Sequence, residues 1–440
     1  MITRDVVRLF FIAGELIMIY IMDPLPAFGL TLVAISVVGI RFRISPFFTL
    51  VGGALFYGIL TGLPPDRIVA VMTAGIGQVF GLFAIIIFSG AVIAKILEEQ
   101  GQVAEIVSDL RNWLKTPAAI SGFSGYLLAL PVACSITAFI ILEPIVGSLG
   151  SGESRRAWLA LAAIGSLISF GLVYPTPVTI PLIKSLMAGQ SPFIYEVVAV
   201  TLSLILLAGI IVFRPGAASA LPGEAAPRGG AEPPGEGSSS FHYRAWAPFA
   251  AIILAIPLGA ALGLSTGSLI QVIMLAGAVT ALILAPPPVR VSGLHRGAKH
   301  AGLIIFDICG AGALAAVILE SGFAGAVLGE ISMIAPLLAA PFILAALLQT
   351  AQGSRVVTAV ISAEVLRGTA VAAALHPIAL VLMVIAGTFV FSYVTDPFFW
   401  IVKHATGDGY REMITGYTLP VAACGLVIFC AALILQGLLL

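Results

Sequence analysis

AQGSRVVTAV, residues Ala351 to Val360, interrupts a long apolar run with polar residues and one arginine, Arg355. A second interrupted run, LPVACSITAF, extends from Leu130 to Phe139. The two stretches share a Thr-Ala pair, Thr137-Ala138 and Thr358-Ala359, at a spacing of 221 positions. Broken hydrophobic segments at matching positions in two halves of a membrane chain are typical of a transporter's binding site.

The composition predicts a membrane protein. The chain has 440 residues, 60% of them hydrophobic and 10% charged, and its mean hydropathy is +1.13. Soluble proteins carry about 25% charged residues, so this chain has too few to cover a water-facing surface. Apolar runs of about 20 residues recur along it, which predicts an all-α polytopic membrane protein. The net charge is zero, and it does not indicate a nucleic-acid partner.

The sequence has no pattern typical of a metal, redox or enzyme site. Its four cysteines lie in apolar runs and form no Cys-x-x-Cys pair, which favours packing roles. His295 and His300 are interpreted as part of a basic loop without acidic or cysteine companions. Neither a phosphate-binding Gly-rich motif nor HExxH occurs. We therefore expect no cofactor, no metal and no enzymatic activity.

A polar tract rich in Pro, Gly and Ser divides the apolar spans into two groups and is typical of a flexible loop. We predict an extra N-terminal helix within 1–23, a first unit at 24–213, a disordered cytoplasmic linker at 214–244 and a second unit at 245–440. The predicted spans lie near 6–22, 25–40, 46–62, 69–97, 118–149, 158–187, 195–213, 246–264, 268–286, 299–319, 337–370, 377–403 and 417–438.

The two units match at a single offset. Adding 221 to each span of the first unit gives a span of the second, without gaps. The residue matches at this offset are Ala94, Glu99, Gly101 and Glu143 with Ala315, Glu320, Gly322 and Glu364. The offset favours a duplicated unit, and chance similarity between apolar helices is the alternative.

The distribution of Lys and Arg predicts the orientation. With a cytoplasmic N-terminus and a re-entrant hairpin at 118–149, most of these residues, Arg155 and Arg156 included, lie on the cytoplasmic side. Each unit then crosses five times and the second is inverted. The prediction is two inverted repeats of about five helices, each with a re-entrant hairpin, and about 11 crossings in the cell (inner/plasma) membrane. Residues 103–115 have the apolar spacing of an interfacial helix.

The two hairpin tips are the predicted binding site. A tip leaves backbone groups without helical partners, which is tolerated only beside protein or a wet cavity. The half-helix after each tip points its positive dipole end at the tip, which favours an anionic group. The small and hydroxyl residues at the tips are Cys134, Ser135 and Thr137 in the first and Gly353, Ser354 and Thr358 in the second.

Arg355 adds a full positive charge to the second tip. Its planar set of donors matches a carboxylate, and an arginine within a membrane is costly unless it is paired or faces a cavity. Two interpretations stand. Arg355 contacts the substrate, or it forms an ion pair with Asp396 or Glu364 that holds the helices together.

A second pair of breaks is VYPTPVT (173–179) and SYVTDPFFW (392–400). Proline removes helix hydrogen bonds there, and the freed carbonyls with Thr176 and Thr395 are candidates to line the site. Asp396 is a candidate proton carrier; neutralisation by Arg355 or capping of the following helix is the alternative. Glu143 and Glu364 are further ion-coupling candidates, and the alternative is that they simply lie near the membrane interface. Asp307, a lone acid in a helix, is a weaker candidate.

These motifs resemble those of the gluconate permease family of proton symporters, within the ion transporter superfamily. Asp396 and Trp400 match the Asp and Trp of that family's His-Val-Asn-Asp-Ser-Gly-Phe-Trp signature. The resemblance implies uptake of a sugar acid or related organic anion with protons, on a fold of inverted repeats with hairpins. The stretches that carry it are FSGAVIAKILEEQG (88–101), PVACSITAF (131–139), GAGALAAVILESG (310–322), AQGSRVVTA (351–359) and SYVTDPFFWIVK (392–403).

The chain departs from the family pattern at the presumed site. Ser135 stands where the family usually has Asp, Arg355 where it has a small residue, and Tyr393 and Thr395 where it has His and Asn. We predict a secondary active transporter of a small organic anion with proton symport. A sodium-coupled carboxylate carrier or a cation/proton antiporter of the same superfamily is the alternative. The expected partners are the anion, protons or sodium and the lipid bilayer, with a homodimer as one alternative for the oligomeric state.

Overall fold

The computed structural model of the chain describes residues 22–42, 45–114, 116–187, 189–213, 241–264, 266–393 and 395–439. Within these ranges the regular structure is entirely helical. Residues 6–21 of the predicted N-terminal helix 6–22 and residues 214–240 of the predicted linker lie outside the described residues. Buried apolar side chains from both predicted units form one continuous core cluster.

The helices of the first predicted unit follow the predicted apolar spans. They are α1 (Pro24–Phe42), α2 (Pro46–Leu60), α3 (Pro65–Glu99), α4 (Gln102–Trp113), α5 (Pro117–Val132), α6 (Ser135–Gly147), α7 (Gly152–Leu172), α8 (Thr179–Leu186) and α9 (Pro192–Phe213).

The helices of the second predicted unit follow in a similar order. They are α10 (Tyr243–Ala261), α11 (Thr266–Leu284), α12 (Pro287–Glu320), α13 (Phe323–Ile334), α14 (Ala340–Gln352), α15 (Arg355–Leu366), α16 (Ala370–Ala374), α17 (Pro377–Val390), α18 (Pro397–Thr406), α19 (Tyr410–Met413) and α20 (Leu419–Leu439), with a π-helical turn at Ile414–Thr418 before α20.

Helix α12 is longer than predicted. The basic stretch that contains His295 and His300 is not a loop but part of this helix, which begins at Pro287. One of its basic residues, Arg296, pairs with Glu98 and Glu99 of the neighbouring helix, and another, Arg290, donates to the carbonyl oxygens of Ala285 and Ile283. The interpretation of this stretch as a loop was therefore wrong, because these contacts allow charged side chains on a helix.

The longest helices, α3 and α12, run antiparallel. Arg67 at the start of α3 lies 2.8 Å from Glu320 at the end of α12, and Glu99 at the end of α3 lies 2.6 Å from Arg296. The backbones approach closely in between, because a Cβ on either Gly75 or Gly312 would meet the carbonyl oxygen of the other. Helices α3 and α12 end at Glu99 and Glu320, 221 positions apart, as the predicted offset requires.

Both predicted hairpins are broken in the middle by two residues. Ala133 and Cys134 separate α5 from α6, and Gly353 and Ser354 separate α14 from α15. At each tip the first residue is left-handed, with φ of 51° at Ala133 and 67° at Gly353, and the second is extended. The other predicted breaks are also present, because α7 ends before 173–178 and α17 ends before 391–396.

The tips differ from the predicted gapless offset by one residue. Ala133 and Gly353, which share the left-handed conformation, are 220 positions apart rather than 221. The backbone therefore makes Ser135 and Arg355 equivalent, as the first residues of α6 and α15. The inverted orientation of the two units stays a prediction.

Five helical stretches in the described part of the chain are long and apolar enough to cross a membrane. They are α3, α7, α9, α12 and Tyr410–Leu438, and several shorter apolar helices accompany them. The chain is thus a multi-pass membrane protein. The count of about 11 crossings and the cytoplasmic N-terminus stay predictions.

The predicted amphipathic segment 103–115 forms α4, which packs on the start of α10. Asp109 accepts hydrogen bonds from the backbone N–H of His242 at 3.1 Å, from His242 Nδ1 at 2.8 Å and from Trp246 Nε1 at 2.8 Å. The rings of Trp113, Phe241 and Trp246 stack beside them, with centroids 6.0 Å apart. Residues 241–244, which the sequence placed in the linker, thus include the first two residues of α10, Tyr243 and Arg244.

Asp109 makes this contact pH-dependent. Burial alone would raise its pKa, but the hydrogen bonds from His242 and Trp246 outweigh burial and hold the pKa of the carboxyl below its usual value. A carboxyl with a lowered folded pKa contributes stability that is present above its unfolded pKa and is lost as the pH falls through the folded pKa.

We predict that Asp109→Asn lowers the free energy of unfolding by about 1–3 kcal/mol at about pH 7, because a charged acceptor of three bonds is removed. The difference between wild type and variant should shrink as the pH falls below about 4. Thermal unfolding in detergent across this range measures it, with Glu105→Gln on the same helix as the control. A difference that stays constant over the pH range would contradict the prediction.

Candidate functional site

A cavity of about 460 Å³ lies between the two hairpin tips. Sites for small molecules commonly have volumes of about 300–1,000 Å³, so this cavity is of a suitable size. The two tips and helices α2 and α12 contribute to its wall, and so do the two segments between helices at 173–178 and 391–396, which we call the unwound segments. Its polar and charged lining residues are Thr49, Ser135, Asp307, Ser354, Arg355, Thr395 and Asp396.

In the described part of the chain, four helices begin at this cavity. Pro46, Ser135, Arg355 and Pro397, the first residues of α2, α6, α15 and α18, all line it. Each helix N-terminus carries a partial positive charge on N–H groups without helical partners. Their convergence makes this end of the cavity favourable for an anion.

These N-termini differ in how they are capped. Ser354 accepts a hydrogen bond from the backbone N–H of Val357 and caps α15, and Asp396 accepts one from Phe398 and caps α18. Cys134, the residue that precedes α6, makes no side-chain cap. The first N–H groups of α6 are therefore the ones best placed to bind an acceptor of a ligand.

Arg355 joins the second tip to the unwound segment before α18. Its Nη1 donates to Asp396 Oδ2 at 2.9 Å, and its Nη2 donates to the hydroxyl of Ser392. The guanidinium carbon lies 5.5 Å from the ring centre of Phe389, within the range of a cation–π contact. The side chain is only 5% exposed, so its charge depends on these partners.

Asp396 performs both structural roles that the sequence offered as alternatives to proton carriage. One carboxylate oxygen binds Arg355, and the other accepts the backbone N–H of Phe398 at 2.9 Å, which caps α18. Glu364, the other candidate partner of Arg355, does not bind it. The proton-carrier role of Asp396 stays a prediction.

The guanidinium of Arg355 retains donors beyond the two that it uses. Nη1 and Nη2 each carry a second N–H besides the one given to Asp396 or Ser392. The Nε is buried, and the hydroxyl of Tyr417 lies beside the guanidinium. Because Arg355 lines the cavity, it is placed to bind an acceptor there while it keeps Asp396 as a partner.

Part of the predicted site comes together in the cavity and part does not. Ser135, Gly353, Ser354, Arg355, Thr395 and Asp396 line it. Three predicted threonines bond elsewhere and are absent from the lining. Thr137 contacts His300 Nε2 at 2.9 Å, Thr176 contacts the hydroxyl of Thr179 at 3.1 Å, and Thr358 donates to Gln349 at 3.1 Å.

The two candidate glutamates also lie outside the cavity lining. Glu143 is half-exposed and lies 3.8 Å from Arg155. Glu364 lies 2.8 Å from Arg367 and accepts a hydrogen bond from Ser185 at 3.3 Å. Their contacts are compatible with the alternative interpretation, that they lie near the membrane interface, and their ion-coupling role stays a prediction.

Other residues of the site gave little or no sequence signal. Phe389 under Arg355 is one aromatic residue in an apolar run, and Thr49 stands in α2 without a neighbouring break. Asp307 was a weak candidate as a lone acid in a helix, and it lines the cavity. No group of three or more His, Cys, Asp and Glu suited to a metal occurs among the described residues.

A multi-pass helical fold whose broken helices meet at a charged cavity defines a membrane transport protein of the permease class. The chain belongs to the GntP permease family, because the model of that family, described as GntP family permease, matches residues 24–226 and 289–438. The family resemblance that the motifs indicated is thereby confirmed.

Relatives along nearly the whole chain agree with this family. A high-affinity gluconate transporter of Escherichia coli K12 is 25% identical over 92% of this chain and 98% of its own length. A gluconate permease of Zymomonas mobilis is 25% identical over 90% of this chain and 93% of its own. An inner membrane permease of Escherichia coli K12, YgbN, is 26% identical over 88% and 92%.

One solved structure shares the fold. The YdaH transporter of Alcanivorax borkumensis, whose crystal structure was described as having an unusual topology, superposes with a TM-score of 0.57. The match covers 85% of this chain and 88% of that one at 13% sequence identity. At this identity the similarity concerns the fold alone.

We predict that Gly353→Ala is strongly destabilising. Gly353 has a positive φ, which costs a residue with a Cβ about 1–2 kcal/mol, and a Cβ there would overlap the carbonyl group of Thr395. Gly368→Ala is the matched control, because Gly368 also has a positive φ, 71°, but has open space around it. Thermal unfolding in detergent should show a clearly larger loss for Gly353, and equal losses would contradict the close approach.

We predict that Asp396→Asn costs about 3–5 kcal/mol of stability, because it leaves the buried charge of Arg355 unpaired. The amide oxygen still caps α18, so the loss reports on the charge and not on the cap. The double variant Arg355→Gln/Asp396→Asn should recover most of it. Thermal unfolding of the wild type, the two single variants Asp396→Asn and Arg355→Gln, and the double variant measures the coupling, and purely additive losses would show that the pair is not stabilising.

Proposed function

We propose that this protein is a secondary active transporter that takes up a small organic anion together with protons. The observation that supports it most directly is the placement of Arg355, which lines the cavity beside the N-termini of α6 and α15. A full positive charge and aligned N–H groups at one end of a cavity favour a carboxylate.

The proposed binding mode follows from the contacts. The carboxylate of the substrate accepts hydrogen bonds from Arg355 and from the first N–H groups of α6. The hydroxyls of Ser135 and Thr395, which also line the cavity, are placed for the hydroxyl groups of a sugar acid. Asp396 keeps Arg355 oriented when the site is empty, because it is the partner at 2.9 Å.

The proposed substrate class is a sugar acid or a related carboxylate. It is supported by the relatives named as gluconate transporters and permeases. Ser135 and Arg355 depart from the family pattern at the two tips, so the preferred anion is expected to differ from gluconate in size or charge. A sodium-coupled carrier is the alternative, and its test is a response to sodium in place of protons.

The proposed arrangement in the membrane follows the sequence prediction. The two units are inverted relative to each other, the N-terminus is cytoplasmic and the protein lies in the cell membrane. The antiparallel packing of α3 and α12, which end 221 positions apart, supports the inversion, since equivalent helices of inverted repeats run in opposite directions.

A binding screen tests the proposal. Purified protein in detergent is melted with sugar acids, dicarboxylates and tricarboxylates, at two pH values and with or without sodium, because a ligand that binds the folded state raises the melting temperature. We predict that at least one carboxylate stabilises the wild type. The charge-balanced variant Arg355→Gln/Asp396→Asn should bind it about 100-fold more weakly, since a lost buried charge-assisted bond costs about 3 kcal/mol.

Arg367→Gln is the control for this experiment. Arg367 follows the same helix, but it pairs with Glu364 outside the cavity lining, so its variant should bind like the wild type. Equal affinity of the wild type and the charge-balanced variant would remove Arg355 from the proposed site. No stabilisation by any carboxylate would contradict the substrate class.

A further inference from the structure

Asp307 is a second acidic residue in the wall of the cavity. It lies on α12, is half-buried and lines the same space as both tips. Its Oδ1 accepts the backbone N–H of Phe47, the second residue of α2, at 3.2 Å. It forms no ion pair with the described residues, and its second carboxylate oxygen makes no hydrogen bond with them.

The charges of the cavity do not balance without a cation. Arg355 and Asp396 neutralise each other at 2.9 Å, so Asp307 leaves the lining with one net negative charge. A substrate carboxylate brings a second negative charge into the same space of about 460 Å³. Like charges at short range in a low-dielectric site repel strongly, so an anion binds there more tightly when Asp307 is neutral.

We propose that Asp307 carries the proton that accompanies the anion. The inference rests on the proposed function and adds the residue that couples the two fluxes. A proton from the outer solution binds the free Oδ2 of Asp307, the neutral carboxyl admits the substrate, and both leave on the other side. Binding of the proton and of the anion each favours the other, as linkage requires.

Asp396 is less suited to this role than Asp307. Both of its oxygens already accept hydrogen bonds, one from a guanidinium and one from a helix N-terminus. Asp307 has a single backbone partner and no cation, so one of its oxygens is open to a proton.

The other titratable groups around Asp307 belong to several elements. Arg355 on α15, Asp396 before α18 and Cys134 at the first tip line the same cavity. On α12, Cys309 donates to the carbonyl oxygen of Ile76, and His300, two turns from Asp307, contacts Thr137. On α2 the titratable residue is Tyr57, which bonds Ser321. The charged residues of α3 lie near its two ends and are Asp66, Arg67, Lys95, Glu98 and Glu99.

Asp307 also has a structural role that the test must separate. Its bond to Phe47 caps the N-terminus of α2. Asp307→Asn preserves this cap, because an amide oxygen also accepts an N–H, but it removes the titratable group. Glu196→Gln is the matched control. Glu196 accepts one backbone N–H, that of Tyr174 at 2.9 Å, lies in a helix long enough to span the membrane and does not line the cavity.

Proteoliposomes with labelled gluconate as the probe test the proposal. Two assays are compared: exchange of internal for external gluconate without a gradient, and accumulation driven by an inside-alkaline pH gradient. One proton per monovalent anion gives about tenfold accumulation for each pH unit at equilibrium. We expect Asp307→Asn to retain exchange and to lose accumulation, with a ratio near one, and Glu196→Gln to behave like the wild type.

Each other outcome has a defined meaning. Accumulation by Asp307→Asn at the wild-type ratio would overturn the role of Asp307, and so would an equal loss in Glu196→Gln. Accumulation by the wild type that follows a sodium gradient and ignores pH would overturn the proton assignment. No exchange by the wild type, either of gluconate or of any carboxylate that stabilises it in the binding screen, would contradict the proposed function itself, and with it the inference that rests on it.

Discussion

The ion pair between Arg355 and Asp396 is the interaction on which the cavity depends. It joins the first residue of α15 to the segment before α18, so it fixes the second tip against an unwound part of the chain. A buried charge is tolerable only with a partner, and Asp396 supplies one while it caps α18 with its other oxygen. One ion pair therefore supplies polar partners at two helix breaks, each of which would be costly without it.

The same breaks bring helix N-termini to one place, but the side-chain charges there are unevenly distributed. Arg355, Asp396 and Asp307 all belong to the second unit, whereas the first unit contributes hydroxyl, thiol and apolar groups. The two tips share their backbone conformation. What distinguishes them is the side chain at the equivalent first position, a hydroxyl at Ser135 and a guanidinium at Arg355.

The positions of the breaks could be predicted from the sequence, because proline, glycine and polar residues inside apolar runs act locally. The contacts that these residues make across the cavity could not be predicted from the sequence. Phe389 under Arg355 and His300 beside Thr137 are brought together by packing of segments far apart in the chain. Nothing in their own neighbourhood indicates it. The one-residue shift at the tips was hidden because the shared Thr-Ala lies within the half-helices, not at the breaks.

Internal similarity predicted the scaffold better than the site. Glu143 and Glu364 match at the predicted offset, and each lies beside an arginine outside the cavity lining, so this match does not mark the cavity. Asp307 falls on Ile86 at that offset and has no acidic counterpart. Packing contacts that hold each unit together are required in both units. A charged side chain in the single cavity between them is required only once, in one of the two units. The unmatched polar residues of such a chain are therefore the stronger candidates for contact with a substrate or a coupled ion.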